Sequence, residues 1–207
     1  MKLQRSYAEN ARFRVGDLVM WKDGMRNRRL PAYGQVVIVS AVFDSVRYGP
    51  EKSSGSPYFR EPETIKIAFV DDDDGEFVEY CMDKQRFRQV SEDECVPRKV
   101  QVLRSRLETL LTRGEPLHVG DRVYWKPNMK HKKRPNKEPA IVMELLEQPI
   151  LDEDRAGSQY WHEPLDVKIG MKDDDGEFVG FYFDSRRFRK VDDDDETYGG
   201  GSDDDLD

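Results

Sequence analysis

The residues able to do chemistry in this chain are few and scattered. The histidines are His118, His131 and His162, and the cysteines are Cys81 and Cys95. Neither set has the close spacing of a zinc finger, a redox Cys-x-x-Cys pair or a helical metalloprotease motif. The cysteines read as ordinary reduced thiols, and each histidine as a surface or packing residue. No Gly-rich phosphate loop of the Walker or dinucleotide type occurs, and no nucleophile stands beside a base. The sequence therefore predicts no catalytic residue, no metal site and no cofactor.

The aspartate runs invite a test as calcium ligands. Asp71 to Asp74 precede Gly75, and Asp173 to Asp175 precede Gly176. A calcium loop needs side-chain oxygens at alternating positions before its glycine. In the first run the leading position falls on Val70, and in the second the glycine comes one step too early. Both runs read as tight turns at hairpin tips. Exposed turn carboxylates also lack the desolvation that tunes acid–base catalysts.

Two other stretches carry binding chemistry. One is a basic loop containing Lys22, Arg26, Arg28 and Arg29, echoed downstream by Lys126, Lys130, His131, Lys132, Lys133 and Arg134. Clustered cations of this kind suit a phosphate backbone; the plainer reading is a solvated loop balanced by nearby acids. The other is an aromatic loop, Tyr58-Phe59-Arg60, echoed by Tyr160-Trp161-His162. Gly-Ser before it and Glu-Pro after it are loop residues. Such aromatics stack on bases or hold a peptide, or they cover one end of a core. Trp21 and Trp125 read as strand-core residues.

The echoes are systematic. Val15-Gly16-Asp17, Val19 and Trp21-Lys22 recur as Val119-Gly120-Asp121, Val123 and Trp125-Lys126. Gly55-Ser56, Tyr58 and Glu61-Pro62 recur as Gly157-Ser158, Tyr160 and Glu163-Pro164. Gly75-Glu76-Phe77-Val78 recurs as Gly176-Glu177-Phe178-Val179, and Arg86-Phe87-Arg88 as Arg187-Phe188-Arg189. The matches stay in order, so the chain is an internal duplication. Alternating or densely β-branched runs predict five strands per copy. They fall at 15–22, 35–43, 64–70, 76–82 and 86–90, then at 121–126, 140–146, 166–171, 177–183 and 187–191. Between the copies, Val100, Leu103, Leu107, Leu110 and Leu111 recur at helical spacing, with Pro97 at the start and Gly114 at the end. The stripe either docks on the sheets or binds a partner.

The expected organisation is mainly β: an N-terminal extension 1–12, a first module 13–90, a helical linker 91–116, a second module 117–191 and a disordered acidic tail 192–207. The tail holds nine acidic residues and no basic one, which leaves the rest of the chain close to neutral. Hydrophobic and charged residues each make up 37% of the chain, and the hydrophobic share includes 11% aromatics, enough for packed cores. No run approaches the length needed to span a bilayer and no signal-peptide core opens the chain. The expected location is the cytoplasm, or the nucleus in a eukaryote.

The order Val-Gly-Asp-x-Val-x-Trp-Lys, a Val-rich strand, then Ile67-x-Phe69 leading into the Asp-Gly turn resembles the SH3-like barrel group that includes Tudor and KOW modules. The resemblance covers about 13–90 and 117–191, and it implies two tandem small SH3-like barrels. Members of that group bind nucleic acid, nucleoprotein components or peptides. The implied function is thus a non-enzymatic binding protein that engages nucleic acid or a nucleoprotein through Lys22, Arg26, Arg28, Arg29, Tyr58, Phe59, Lys126, Lys130, Lys132, Lys133, Arg134, Tyr160 and Trp161. The alternative is a protein–protein adaptor or inhibitor whose acidic tail and turns mimic nucleic acid. No membrane partner is expected.

Overall fold

The structure is a computed structural model, and it describes residues 2–9, 11–49, 54–56, 59–129, 139–153, 158–173 and 175–191. The expected tail lies outside them. The chain divides into two compact units: Met1–Thr112 with Ile150–Pro164, and Arg113–Pro149 with Leu165–Asp207. The first unit thus includes a segment from the second copy of the repeat.

In the first unit, helix α1 (Lys2–Ala8) precedes strands β1 (Leu18–Trp21), β2 (Val37–Tyr48), β3 (Pro62–Val70), β4 (Phe77–Met82) and β5 (Phe87–Gln89), then helix α2 (Pro97–Leu111). The strands form an antiparallel sheet in the order β4-β3-β2-β1-β5. The second copy supplies β6 (Arg122–Trp125), β7 (Ala140–Leu151), β8 (Pro164–Lys172), β9 (Phe178–Phe183) and β10 (Phe188–Lys190) in the equivalent order β10-β6-β7-β8-β9. The five expected strands per copy are present, and β2 and β7 run longer than expected. In each sheet the two end strands do not pair with each other, so the hydrogen bonding describes open sheets rather than the closed barrels expected from sequence.

The repeated motifs have local structural causes. Gly16 and Gly120 take φ of 94° and 92°, a region open to glycine but strained for other residues. The next residue caps the turn: Asp17 Oδ2 accepts from Arg14 N at 2.8 Å, and Asp121 Oδ2 from His118 N at 2.7 Å. The aspartate run closes a hairpin, with Asp71 Oδ1 accepting from Asp73 N and Asp74 Oδ1 from Glu76 N, both at 3.0 Å. Trp21 stacks on Phe87 at 4.3 Å, and Trp125 packs on Phe188 at 4.2 Å. These pairs tie the first strand of each copy to its last.

The inner face of the second sheet is a core of Val123, Ala140, Val142, Val167, Ile169, Met171, Phe183 and Phe188. The copies differ on the opposite face. In the first, Ile38, Ala68 and Phe77 on that face are buried, as are Ser40, Lys66, Glu79 and Cys81. Helix α2 lies against β2 and β3, and its Val100, Leu103, Leu107 and Leu110 are buried. In the second copy the same positions are Ile141, Gly170 and Phe178. Phe77 is 1% exposed, whereas Phe178 is 57% exposed, with Ile141 and Met143 also open to solvent. No helix among the described residues is long and apolar enough to cross a membrane.

Candidate functional site

Glu61 is the buried hub of the first unit's loops. It follows the aromatic loop, and its carboxylate faces the basic loop. Asn27 Nδ2 donates to Oε1 at 2.6 Å, Arg86 Nε donates to the same oxygen at 2.6 Å, and Arg28 Nη2 lies 3.4 Å from Oε2. A charged acceptor with several donors outweighs an ordinary neutral hydrogen bond. It fixes the two expected binding loops side by side, which their separation in sequence does not show.

The structure sorts the expected site residues. Arg26 and Arg29 are exposed; Arg26 spans its own loop, donating to the Arg28 and Arg29 carbonyls at 2.8 and 2.6 Å. Phe59 is exposed beside Arg60, whose guanidinium lies 5.2 Å from the centroid of the exposed Tyr48 ring. Arg28 is turned inward to Glu61 and Glu63. Lys22 is buried, and its ammonium donates to the Ser6 carbonyl of α1. Lys126 is buried as well, and burial lowers its pKa against the pull of Asp184. Tyr160 is half-buried, and Trp161 is buried in the first unit. Tyr58, Lys130, Lys132, Lys133 and Arg134 lie outside the described residues.

A second assembly has no counterpart in the sequence reading. Trp161 Nε1 donates to Glu63 Oε2 at 2.7 Å, and the Trp161 ring stacks on His162 at 4.1 Å. His162 Nδ1 lies 3.5 Å from the same Glu63 oxygen. Cys81 Sγ sits 3.6 Å from the Trp161 carbonyl. One donor atom each from Glu63, Cys81 and His162 falls within 4.8 Å of the other two. The three residues are 1%, 2% and 7% exposed. Glu63 Oε1 and His162 Nδ1 are buried without hydrogen bonds. The only sequence signal was the departure of copy two from copy one, with His162 standing where copy one has Arg60.

No family model, curated protein or solved structure matches this chain.

Burial shifts all three groups of this cluster toward their neutral forms. Burial, then the positive charges of Arg47 and Lys66, push His162 down to about 4. Burial raises Glu63 above the usual carboxylate range, against the Trp161 hydrogen bond and Arg28. Burial pushes the Cys81 thiol up to about 12. A thiol so protonated is a poor nucleophile at neutral pH. The arrangement offers nitrogen, oxygen and sulfur donors in a closed space rather than an activated triad.

Proposed function

We propose that this chain is a non-enzymatic binding protein built on two SH3-like modules, and that its first unit engages single-stranded nucleic acid through the joined basic and aromatic loops. The shared strand order, in which the first strand lies between the second and the last, fits the resemblance to that fold group. The observation that carries the reading is Glu61 holding the Arg26–Arg29 loop against the foot of the loop that presents Phe59 and Arg60. Exposed Arg26, Arg29 and Arg60 would meet phosphates, while Phe59 and Tyr48 would offer faces for base stacking. Acidity elsewhere in the chain makes the attraction local, acting within about 8 Å at physiological salt.

Fluorescence anisotropy with a labelled mixed-sequence RNA tests this reading. Three phosphate contacts on a single strand give a log–log salt slope of about −2. Phe59→Ala and the pair Arg26→Glu, Arg29→Glu should each weaken binding at least about tenfold. Unchanged affinity in both would rule it out.

The uncovered face of the second sheet favours a second reading, a protein–protein adaptor. Ile141, Met143 and Phe178 are exposed, and Phe178 and Met143 lean over Gly170, where a Cβ would meet Phe178 Cζ at 2.2 Å and Met143 Sδ at 2.8 Å. In the first copy the equivalent residues are buried and a leucine-striped helix lies against the sheet. The occupant that fits is therefore a leucine-striped amphipathic helix of another protein. A synthetic peptide with the sequence of α2 is the probe: binding lost on Phe178→Asp supports an adaptor, and no binding to the intact chain opposes it.

A further inference from the structure

We propose that Glu63, Cys81 and His162 form a binding site for a zinc ion within the first unit. The three side chains come from the start of β3, from β4 and from the loop before β8. They supply oxygen, sulfur and nitrogen, the three donor types zinc accepts in proteins. Their donor atoms lie within 4.8 Å of one another. Zinc–ligand bonds of about 2.0–2.3 Å place neighbouring donors roughly 3.3–3.8 Å apart. Closing the cluster by about an ångström is a side-chain rotation, not a refolding.

Two features point toward a ligand rather than ordinary packing. Glu63 Oε1 and His162 Nδ1 are buried polar atoms with no hydrogen bond; each has only a longer contact, Arg28 Nη2 at 3.6 Å and Glu63 Oε2 at 3.5 Å, and buried groups held so loosely are uncommon. Glu63 Oε2 is also held by Trp161 Nε1 at 2.7 Å, the kind of outer contact that orients a ligating carboxylate. A second Glu63 oxygen can complete a fourth position. The site is closed to solvent, as structural zinc sites are.

The charge balance is workable. Arg28, Arg47 and Lys66 lie around the cluster, and Glu61 and Glu79 offset them. The Glu63 carboxylate and a Cys81 thiolate bring the two negative charges a divalent ion needs. The zinc–sulfur bond forms as the thiol proton leaves to solvent. His162 is already in the neutral form that ligates. Cys95, the other cysteine, is outside the cluster, and its Sγ lies 3.3 Å from the Ser91 carbonyl.

The test uses the full chain, stripped of metal by chelation and titrated with zinc by calorimetry and with cobalt(II) by absorption. One ion per chain, a rise in melting temperature and a cobalt–thiolate charge-transfer band are expected. The band should persist in Cys95→Ser, where Cys81 is the sole thiol. Cys81→Ser and His162→Gln should each lower affinity by about 100-fold or more, with circular dichroism checking that the metal-free variants fold. The band in Cys95→Ser decides the matter even if those variants do not fold. No saturable uptake, or cobalt binding without the thiolate band, would overturn the site and assign any residual binding to the aspartate turns.

Discussion

Arg86 donates its Nε–H to Glu61 Oε1 at 2.6 Å, and through this bond the turn that leads into β5 holds the loop that precedes β3. The same oxygen accepts from Asn27 at 2.6 Å. Three segments distant in sequence meet at one carboxylate, and Arg86 and Glu61 both belong to motifs repeated in the second copy. Glu61→Gln keeps the shape and removes the charge. Breaking a mostly buried pair of this kind, with Arg86 partly open to solvent, should cost about 2–3 kcal/mol. Urea denaturation checks this. A loss under about 0.5 kcal/mol would show that the loops do not depend on the carboxylate.

The difference between the two sheets predicts opposite outcomes at equivalent residues. Phe77→Ala empties a buried position and should destabilise by about 3–5 kcal/mol. Phe178→Ala removes an exposed ring and should stay within about 0.5 kcal/mol. Thermal or denaturant unfolding of both variants makes the comparison, and equal losses would contradict the asymmetry.

Hydrogen bonds anchor the N-terminal helix. Tyr7 Oη donates to Asp83 Oδ2 at 2.6 Å, and the Lys22 ammonium donates to Ser6 O. Burial, then the Asp83 hydrogen bond, raises Tyr7 from 10.0 to about 12. The folded state therefore keeps its phenol proton where the unfolded state releases it. The stabilisation is whole below pH 10 and lost as pH rises toward 12. Tyr7→Phe should reduce stability by about 1 kcal/mol at neutral pH and flatten its decline over that alkaline range. An unchanged alkaline profile would detach Tyr7 from Asp83.

Lys22 separates binding from folding. Its ammonium is committed to Ser6, so Lys22→Gln should lower the melting temperature and leave RNA affinity within twofold of the original, a change of about 0.4 kcal/mol. A loss of affinity as large as that from Arg26→Glu would return Lys22 to the binding surface.

Much of the fold was legible because the causes were local and occurred twice. Gly16 and Gly120 mark turns that need positive φ, and Gly75 and Gly176 mark hairpin tips. The spacing of Val100, Leu103, Leu107 and Leu110 matches the buried stripe of α2, whereas Leu111, expected in the same stripe, is exposed. What was not legible depends on distant partners. Lys22 reads as a loop cation until α1 supplies an acceptor, and α1 itself carries too weak a pattern to stand out in the sequence. Trp161 and His162 read as part of a loop that either binds a ligand or covers the core of their own copy. Their true neighbours, Glu63 and Cys81, are far away in the chain. The burial of that face in the first copy draws on distant segments, with α2 lying against β2 and β3 and the Trp161 carbonyl 3.6 Å from Cys81.

Backbone amide chemical shifts of the full chain, recorded as a single-stranded RNA is added, test the central claim most directly. The binding account predicts shifts concentrated at 26–29, 47–48 and 59–63, weakening as salt is raised. Shifts confined to 141–145 and 178–182, or none at saturating RNA, would contradict it.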